Sequence, residues 1–215
     1  MVSNERLDRS EMTQAPESFI LRQKFTPQER KVIENANGLI FSPTGLSIDA
    51  QRTRRKVQGK PAFWGWDMSD AGERLTAIPS KQVEVAIFPD PKEFFVPGSF
   101  EKSIVDQEKL AAEDAKRLGI PNVTQIIPDE ASTLTELAFQ YQDETGNWLF
   151  GQEYAKAQGL NWVYGGTKNP TDASGSNVAR VGNAFPAGGL SVFRSPLEGF
   201  RLVGAVRLVI PIETK

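Results

Sequence analysis

This chain of 215 residues contains neither cysteine nor histidine, and this absence limits its possible folds and chemistry more than any other feature of the sequence. No disulfide can hold its fold together, and zinc, copper and haem lose their usual protein ligands. Ser-His-Asp triads and Cys-His pairs are excluded as well. The chemistry that remains relies on paired carboxylates, an activated lysine, a serine-lysine couple or hard cations bound by oxygen. The composition therefore favours binding over catalysis, and we predict neither an enzyme nor a bound cofactor.

Length and charge indicate a globular protein with one large domain, or one domain plus an appendage. The formal net charge is −2, and 39% of the residues are hydrophobic. No apolar run approaches the roughly 20 residues of a membrane-spanning helix. Residues 1–14 lack an apolar stretch after a basic start, so we predict no signal peptide. A cytoplasmic location is the default expectation, and a virion or cell-surface location stays open.

Charge is distributed unevenly along the chain. Residues 1–60 hold 11 Lys/Arg and 7 Asp/Glu, whereas residues 61–215 hold 14 and 20. The densest basic cluster precedes an aromatic group; the cluster is Arg52, Arg54, Arg55 and Lys56, and the aromatics are Phe63, Trp64 and Trp66. Basic and aromatic side chains together are typical of nucleic-acid binding. The alternative is a solvated loop or strand edge beside core aromatics. Four charges on an acidic protein give little affinity for a phosphate backbone, so we do not expect nucleic acid as a partner.

The chain divides into a flexible arm at residues 1–18, an N-terminal subdomain at residues 19–80 and a main domain at residues 81–215. A helix should begin at Thr26, with Pro27 at its first position and Glu29 completing a capping box. We expect this helix to end near Asn37 and Gly38. The short apolar runs at residues 39–41 and 46–48 predict two strands joined by a turn.

The main domain combines one clear strand with two helices. Alternation of Val83, Val85 and Ile87 predicts the strand. Ser99 is the predicted start of a helix that ends at Gly119, and a second helix follows residues 127–128 and ends before Gly146. Eleven of the 18 glycines lie between residues 146 and 204, which predicts long loops and short strands. The turn-rich stretch 165–177 predicts a surface loop, and its glycines match no phosphate-binding pattern.

Four short segments carry a resemblance to a known family. Residues 127–138 (IPDEASTLTELA) are similar to a helix start of the form L-P-T-E-A-E-W-E-x-A-A, with Leu134 in place of the favoured tryptophan. Residues 148–151 (WLFG) stand where the family often has a short aromatic-Trp-Gly segment after the helix, and residues 165–167 (GGT) resemble its Gly-Gly-Ser turn. Residues 199–203 (GFRLV) match the closing strand, although residues 204–209 (GAVRLV) compete for that role. The segments resemble C-type lectin-like folds of the formylglycine-generating-enzyme type.

The resemblance implies an α+β protein: a C-type lectin-like fold with two helices and short antiparallel strands, plus an N-terminal extension. In this fold the first and last strands pair, and a loop-built face displays side chains. The family's oxidases use cysteines and its sulfoxide synthases use histidine-bound iron, so neither activity fits this composition. Non-catalytic relatives include variable proteins of diversity-generating retroelements and phage or bacterial surface receptors, which contact their targets through the last strands and loops.

We therefore predict a non-catalytic protein that binds a protein or surface ligand through a variable or adaptable C-terminal face, as in retroelement target proteins. A structural or assembly protein of a phage or surface array is the alternative, and an oligomer would then form through the basic N-terminal region. Aromatic side chains among Gly, Ser, Asn and Arg make adaptable contact surfaces. The predicted ligand-binding residues are Trp162, Tyr164, Asn183, Phe185, Phe193, Arg194, Ser195, Glu198, Phe200 and Arg201.

Proximity to turns predicts which members of this set are exposed: Tyr164, Asn183, Phe193, Arg194, Ser195 and Glu198. Trp162 and Phe200 should have mixed or core roles. A calcium site of Asp172 with Asn169 and Asn177 is conceivable, but such sites usually recruit more carboxylates, so we predict no metal.

The carboxylates at residues 129–130 and 143–144 leave open the alternative that the protein is a hydrolase. Acidic residues at a helix start more often complement the helix dipole.

Overall fold

The computed structural model describes residues 19–67 and 72–213, and these residues form an α+β structure, as the sequence predicts. Six helices lie in the described part: α1 (Pro27–Asn35), α2 (Ile48–Val57), α3 (Gly72–Ala77), α4 (Ile104–Arg117), α5 (Ala131–Thr145) and α6 (Gln152–Ala157). The first five of its ten strands are β1 (Ile20–Leu21), β2 (Leu39–Phe41), β3 (Ala62–Asp67), β4 (Val85–Ile87) and β5 (Val123–Gln125). The others are β6 (Tyr164–Pro170), β7 (Asn177–Phe185), β8 (Gly189–Pro196), β9 (Val203–Gly204) and β10 (Leu208–Glu213).

The strands form two five-stranded sheets. The first has the order β1-β10-β4-β2, with β5 also paired to β10. The second has the order β3-β8-β7-β6-β9; its central strands are antiparallel, and its two outer strands run parallel to their neighbours. In the first sheet β4 lies antiparallel beside β10, with Ile87 opposite Leu208. The predicted strand around Val85 therefore lies beside the last strand of the described chain.

The segment that closes the first sheet differs from the expectation for residues 199–203. These residues form a turn that leads into the two-residue strand β9, which pairs with β6 of the second sheet. The closing strand is β10, which begins at Leu208, near the end of the competing segment. Gly199 explains part of the difference, because its φ of 124° and its close approach to the carbonyl group of Lys102 suit a turn.

Capping residues set most helix ends where the sequence predicts them. In α1 the Thr26 hydroxyl accepts a hydrogen bond from the Glu29 amide at 3.3 Å, and the Glu29 carboxylate accepts one from the Thr26 amide at 2.8 Å. The predicted capping box is thus confirmed. Gly119 and Gly146 follow the ends of α4 and α5 with φ of 64° and 76°, the left-handed conformation in which glycine is favoured.

Two predictions of local structure are wrong, and in both cases a serine that was not recognised as a cap begins a helix. Helix α4 begins after Ser103, whose hydroxyl accepts a hydrogen bond from the Asp106 amide, whereas the Ser99 hydroxyl accepts one from the Ala205 amide near the sheets. The predicted strand at residues 46–48 is instead a helix start, since the Ser47 hydroxyl accepts a hydrogen bond from the Ala50 amide. Apolar residues in short runs do not distinguish the two element types.

The predicted surface loop at residues 165–177 is largely wrong, because residues 164–170 form the mostly buried strand β6. A Cβ atom on Gly165 would lie 2.9 Å from Leu134 of α5 and 2.7 Å from Val206. The glycine therefore permits close packing of the strand. Helix α5 contacts β6 and β7, and its residues 131–139 are all buried. Within the stretch 165–177, turns and bends are confined to residues 171–175.

Residues before position 81 contribute to both sheets. Strands β1 and β2 pair with β10 and β4, and β3 pairs with β8. Buried polar side chains add links: the carboxylate of Glu136 on α5 accepts hydrogen bonds from the amide and the hydroxyl of Thr44 at 2.8 and 2.6 Å. Residues 19–80 thus pack on the rest of the molecule without a sheet of their own. The predicted arm at residues 1–18 lies outside the described residues.

Candidate ligand-binding site

One face of the second sheet carries aromatic rings above glycines. Arg180 of β7 and Phe193 of β8 are direct cross-strand partners, as are Tyr164 of β6 and Gly182 of β7. A Cβ atom on Gly182 would lie 3.2 Å from the Tyr164 ring, and one on Gly65 would lie 2.9 Å from the Phe193 ring. The missing side chains let the rings lie close to the backbone of neighbouring strands.

Arg180 lies at the centre of this aromatic layer. Its guanidinium carbon is 4.4 Å from the ring centroids of both Tyr164 and Phe200 and 5.8 Å from that of Phe193. Each such contact stabilises by about 0.5–1 kcal/mol at exposed sites and by more when desolvated. Three predicted site residues are thereby brought together by an arginine that the sequence analysis did not select.

A cluster of exposed aromatic side chains lies at one end of the layer, and we call Trp64, Trp162 and Phe185 the aromatic patch. Their exposed fractions are 44%, 42% and 38%. The ring centroid of Phe185 is 5.1 Å from that of Trp64 and 6.1 Å from that of Trp162, with interplanar angles of 72° and 65°. Both edge-to-face contacts are favourable. The Trp64 indole also donates a hydrogen bond to the Asn183 carbonyl at 2.8 Å.

A cleft of about 200 Å³ opens beside the patch, between the α5–α6 connection and the β7–β8 turn. Trp162 and Phe185 belong to both the patch and the cleft. The other residues that line it are Gly146, Asn147, Trp148, Phe150, Gly151, Gln152, Glu153, Ala155, Asn161, Asn183, Ala184 and Pro186. Its lining thus combines aromatic side chains with nearly as much polar surface, and polar groups of this kind orient a ligand in a binding site.

Two cleft residues have a backbone conformation that side chains other than glycine seldom adopt. Asn183 has φ of 48° and Phe150 has φ of 62°. Asn183 lies in a β-bulge, because the register between β7 and β8 shifts between Gly182 and Phe185. The segments are linked by a hydrogen bond of 3.1 Å from the Ala184 amide to the Phe150 carbonyl. Such conformations cost roughly 1–3 kcal/mol each and cluster at functional sites.

The structure places the ten predicted residues in different environments. Trp162 and Phe185 lie at the cleft and Phe193 and Phe200 are partly exposed, while the exposed polar members are Arg194, Glu198 and Arg201. The expected exposure is wrong for Tyr164, Asn183 and Ser195, which are buried. Trp162 is exposed, against its expected mixed or core role. The role of the whole set in binding stays a prediction.

Position within long strands explains the buried members. The Tyr164 ring lies beneath Arg180, and its hydroxyl is 3.3 Å from the amide nitrogen of Asn183, which donates a hydrogen bond to it. Ser195 pairs with Val178 near the end of β8 and does not lie in a turn. Trp64 and Glu153 are contributors to the site region that the prediction missed. The aromatic residues at positions 63–66 could have identified Trp64 as a candidate, because neighbouring side chains of a strand point to opposite faces of the sheet.

The basic cluster is divided between surface and interior: Arg52, Arg54 and Lys56 are exposed, whereas Arg55 is not. Arg55 is buried, and its guanidinium carbon lies 4.4 Å from the Phe139 ring centroid. The corresponding distance from Arg52 to the Trp66 ring is 4.8 Å. All four residues lie on helix α2, whereas the sequence analysis offered a loop or a strand edge.

The three residues considered for calcium do not converge on a common point. The side-chain oxygen of Asn169 accepts a hydrogen bond from the Ala131 amide at the start of α5. The Asp172 carboxylate accepts hydrogen bonds from the Ser174 hydroxyl at 2.6 Å and the Asn177 side-chain amide at 2.7 Å. These hydrogen bonds hold the pKa of Asp172 well below its usual range. No group of three or more acidic side chains within the described residues is arranged to hold a metal ion.

Comparison with protein-family models, with curated proteins and with solved structures finds no match to this chain. The site must therefore be interpreted from its own geometry. Among residues 19–67 and 72–213, no helix is both long enough and apolar enough to cross a bilayer.

Proposed function

We propose that this chain is a non-catalytic protein that binds a protein or surface ligand through the aromatic patch and the adjoining cleft. The observation that carries the proposal is the convergence of three exposed aromatic side chains beside a cleft with strained backbone at Asn183 and Phe150. Tryptophan is enriched among the residues that dominate binding energies. Contiguous exposed apolar patches on soluble proteins are often functional.

The topology supports a C-type lectin-like fold of the formylglycine-generating-enzyme type as part of this proposal. Strands β4 and β10 pair in antiparallel orientation, and the two longest helices, α4 and α5, lie between them in the chain. The second sheet follows α5 and presents the aromatic layer. A retroelement target protein would use this C-terminal part of the fold for recognition. The absence of cysteine and histidine supports a non-catalytic role.

The proposal is tested by screening the full chain against arrays of surface glycans and extracellular proteins. The double variant Trp162→Ala/Phe185→Ala removes two rings that are already partly exposed. We expect it to lower affinity for the bound array members by about tenfold or more, while the melting temperature changes little. The matched control is Val57→Ser/Val105→Ser, which alters two exposed apolar residues outside the cleft. Unchanged binding by the double variant would refute the assignment of the site.

An assembly protein is the second candidate, and the place of Trp64 favours it. Trp64 lies on β3, one of the two outer strands of the second sheet among the described residues, where another copy could pack. Light scattering during size-exclusion chromatography separates the two functions. A defined oligomer that the double variant converts to a monomer would assign the patch to assembly. A monomeric chain with array binding would assign it to ligand recognition.

A further inference from the structure

The cleft has a single charged side chain in its wall. Glu153 is the one ionisable group among the described residues that line it. Its carboxylate lies 3.0 Å from the position that a Cβ atom on Gly151 would take, so it folds back over another residue of the cleft. No lysine or arginine among the described residues forms an ion pair with it. The cleft therefore favours positive charge on a ligand.

The aromatic walls have the same preference. Trp148, Phe150, Trp162 and Phe185 line the cleft. The face of an aromatic ring carries partial negative charge and attracts cations within about 6 Å of its centroid. Glu153 is exposed and the cleft is open to solvent, so its carboxylate and the rings would favour a cation over a neutral molecule of equal shape by a modest factor. An anion would be repelled by both.

The aromatic lining of the cleft bears on the kind of cation that it would bind. A primary ammonium group has three donors that each need an acceptor when they are buried, and aromatic rings supply no such acceptor. An ammonium group without N–H donors avoids this requirement. The amides of Asn147, Gln152 and Asn161 remain for a hydroxyl group.

We propose that the cleft binds a quaternary ammonium group of the choline type, with the cation between the aromatic walls and Glu153. This assignment rests on the proposed function, because it names the ligand chemistry of the same site. The group could be supplied by free choline or by choline esterified on a lipid or surface polymer. The two sources present the same trimethylammonium cation to the cleft, and they differ in what is attached to it.

The test is titration of the full chain with choline and with 3,3-dimethylbutan-1-ol, its uncharged isostere, at constant ionic strength. Tryptophan fluorescence and calorimetry report binding. We expect choline to bind about fivefold more tightly than the isostere, as a cation contact with partly exposed rings implies. Glu153→Gln should remove most of that preference and leave isostere binding unchanged. Glu113→Gln, which neutralises an exposed glutamate on α4, is the matched control and should change neither affinity.

Other outcomes would overturn the proposal. Equal binding of choline and the isostere would show that charge plays no part. A neutral monosaccharide that binds in the cleft while choline does not would assign the site to another chemistry. Trp162→Ala should weaken both choline and the isostere, and a variant that binds choline normally would place that ligand elsewhere. Array binding that persists without choline binding would refute this ligand assignment alone and leave the proposed function standing.

Two further arms of the experiment distinguish free choline from choline attached to a surface. Vesicles of phosphatidylcholine are compared with vesicles of phosphatidylglycerol in a flotation assay, and free choline is added as a competitor. Binding to phosphatidylcholine alone, reversed by choline and lost in Trp162→Ala, assigns a surface-attached group. Binding of free choline without vesicle binding assigns a soluble small molecule. Both results support a choline-type site, and failure of both ligands to bind contradicts it.

Discussion

Arg55 is a buried charged residue, and its contacts differ from those that its position in the sequence suggests. Its side chain donates hydrogen bonds to the carbonyl of Pro61, to Asp143 at 3.0 Å and to Gln142 at 2.7 Å, and it lies above the Phe139 ring. The sequence places it in the densest basic cluster of the chain, where a solvated face or a phosphate contact would be expected. In the fold it joins helix α2 to the end of helix α5, so its role is structural.

Replacement of Arg55 by alanine should lower the free energy of unfolding by about 2–3 kcal/mol. Removal of one partner of a buried ion pair costs roughly 3–5 kcal/mol. Asp143 is partly solvated and keeps its ion pair with Lys60, which reduces the loss. Urea denaturation gives the value, and Arg54→Ala, at an exposed neighbouring position, should stay within about 0.5 kcal/mol. Equal effects of the two substitutions would contradict the buried position of Arg55.

The stability of the protein should depend strongly on which residue replaces Asn183, because the backbone at this position has a φ of 48°. Glycine adopts this conformation without strain, and asparagine tolerates it better than β-branched residues do. We expect Asn183→Val to be less stable than Asn183→Gly by about 1–3 kcal/mol in urea unfolding. Both variants lose the hydrogen bond to the Tyr164 hydroxyl, so their difference isolates the backbone strain. Equal stabilities would show that the bulge does not hold residue 183 in the left-handed region.

At the scale of elements, local chemistry was predicted well, whereas the only pairing across the chain that was expected, from the family resemblance, is the one between the strand around Val85 and the closing strand. The capping box at Thr26 and the glycines at 119 and 146 act within one helical turn, and the sequence shows them directly. Strand β6 was missed because its glycines are also turn residues. Only the nearby side chains of Leu134 and Val206 show that these glycines serve packing. Ser99 was likewise taken for the cap of α4, and only its contact with the Ala205 amide shows that it serves another purpose.

The loop before β7 should lose its order at acidic pH, when Asp172 becomes protonated. Hydrogen bonds from Ser174 and Asn177 lower the pKa of this carboxyl in the folded chain below the unfolded value of about 3.9. Its contribution is therefore complete above that value and is lost as the pH falls through the lowered pKa of the folded state. The amide resonances of Ser176 and Asn177, which both donate to this carboxylate, should titrate in that acidic window.

The variant Asp172→Asn should reproduce the acid effect at neutral pH, since the carboxamide offers one acceptor oxygen where the carboxylate offers two. Amide hydrogen exchange at Asn177 should become severalfold faster. Ser174→Ala removes a single donor and should have a smaller effect. Exchange rates that match those of the unchanged chain would show that the carboxylate does not order this loop.

The whole molecule explains why part of the candidate site escaped prediction. Trp162, Asn183 and Phe185 lie close together in the sequence and were selected for their composition. Trp64 precedes Asn183 by about 120 positions and reaches it only because β3 pairs in parallel with β8. No local pattern reports a pairing of this kind. Glu153 was missed for a related reason, since its significance depends on the cleft that other segments complete.

The same long-range pairing predicts that residues 81–215 do not fold alone. A fragment that starts at position 81 lacks β1, β2 and β3, so both sheets lose strands. The Glu136 carboxylate would also lose the hydrogen bonds from Thr44 and Ser80 that link α5 to residues 19–80. We expect the fragment to show no cooperative thermal transition, in contrast to the full chain.

Fragment complementation provides the control for this prediction. Separately prepared residues 1–80, mixed with residues 81–215, should restore a cooperative transition, because they supply the missing strands and the polar partners of Glu136. A fragment 81–215 that unfolds cooperatively by itself, near the melting temperature of the full chain, would contradict this expectation. It would mean that residues 19–80 are a separable subdomain despite their place in both sheets. The aromatic patch would then have to form without Trp64, which the truncation removes.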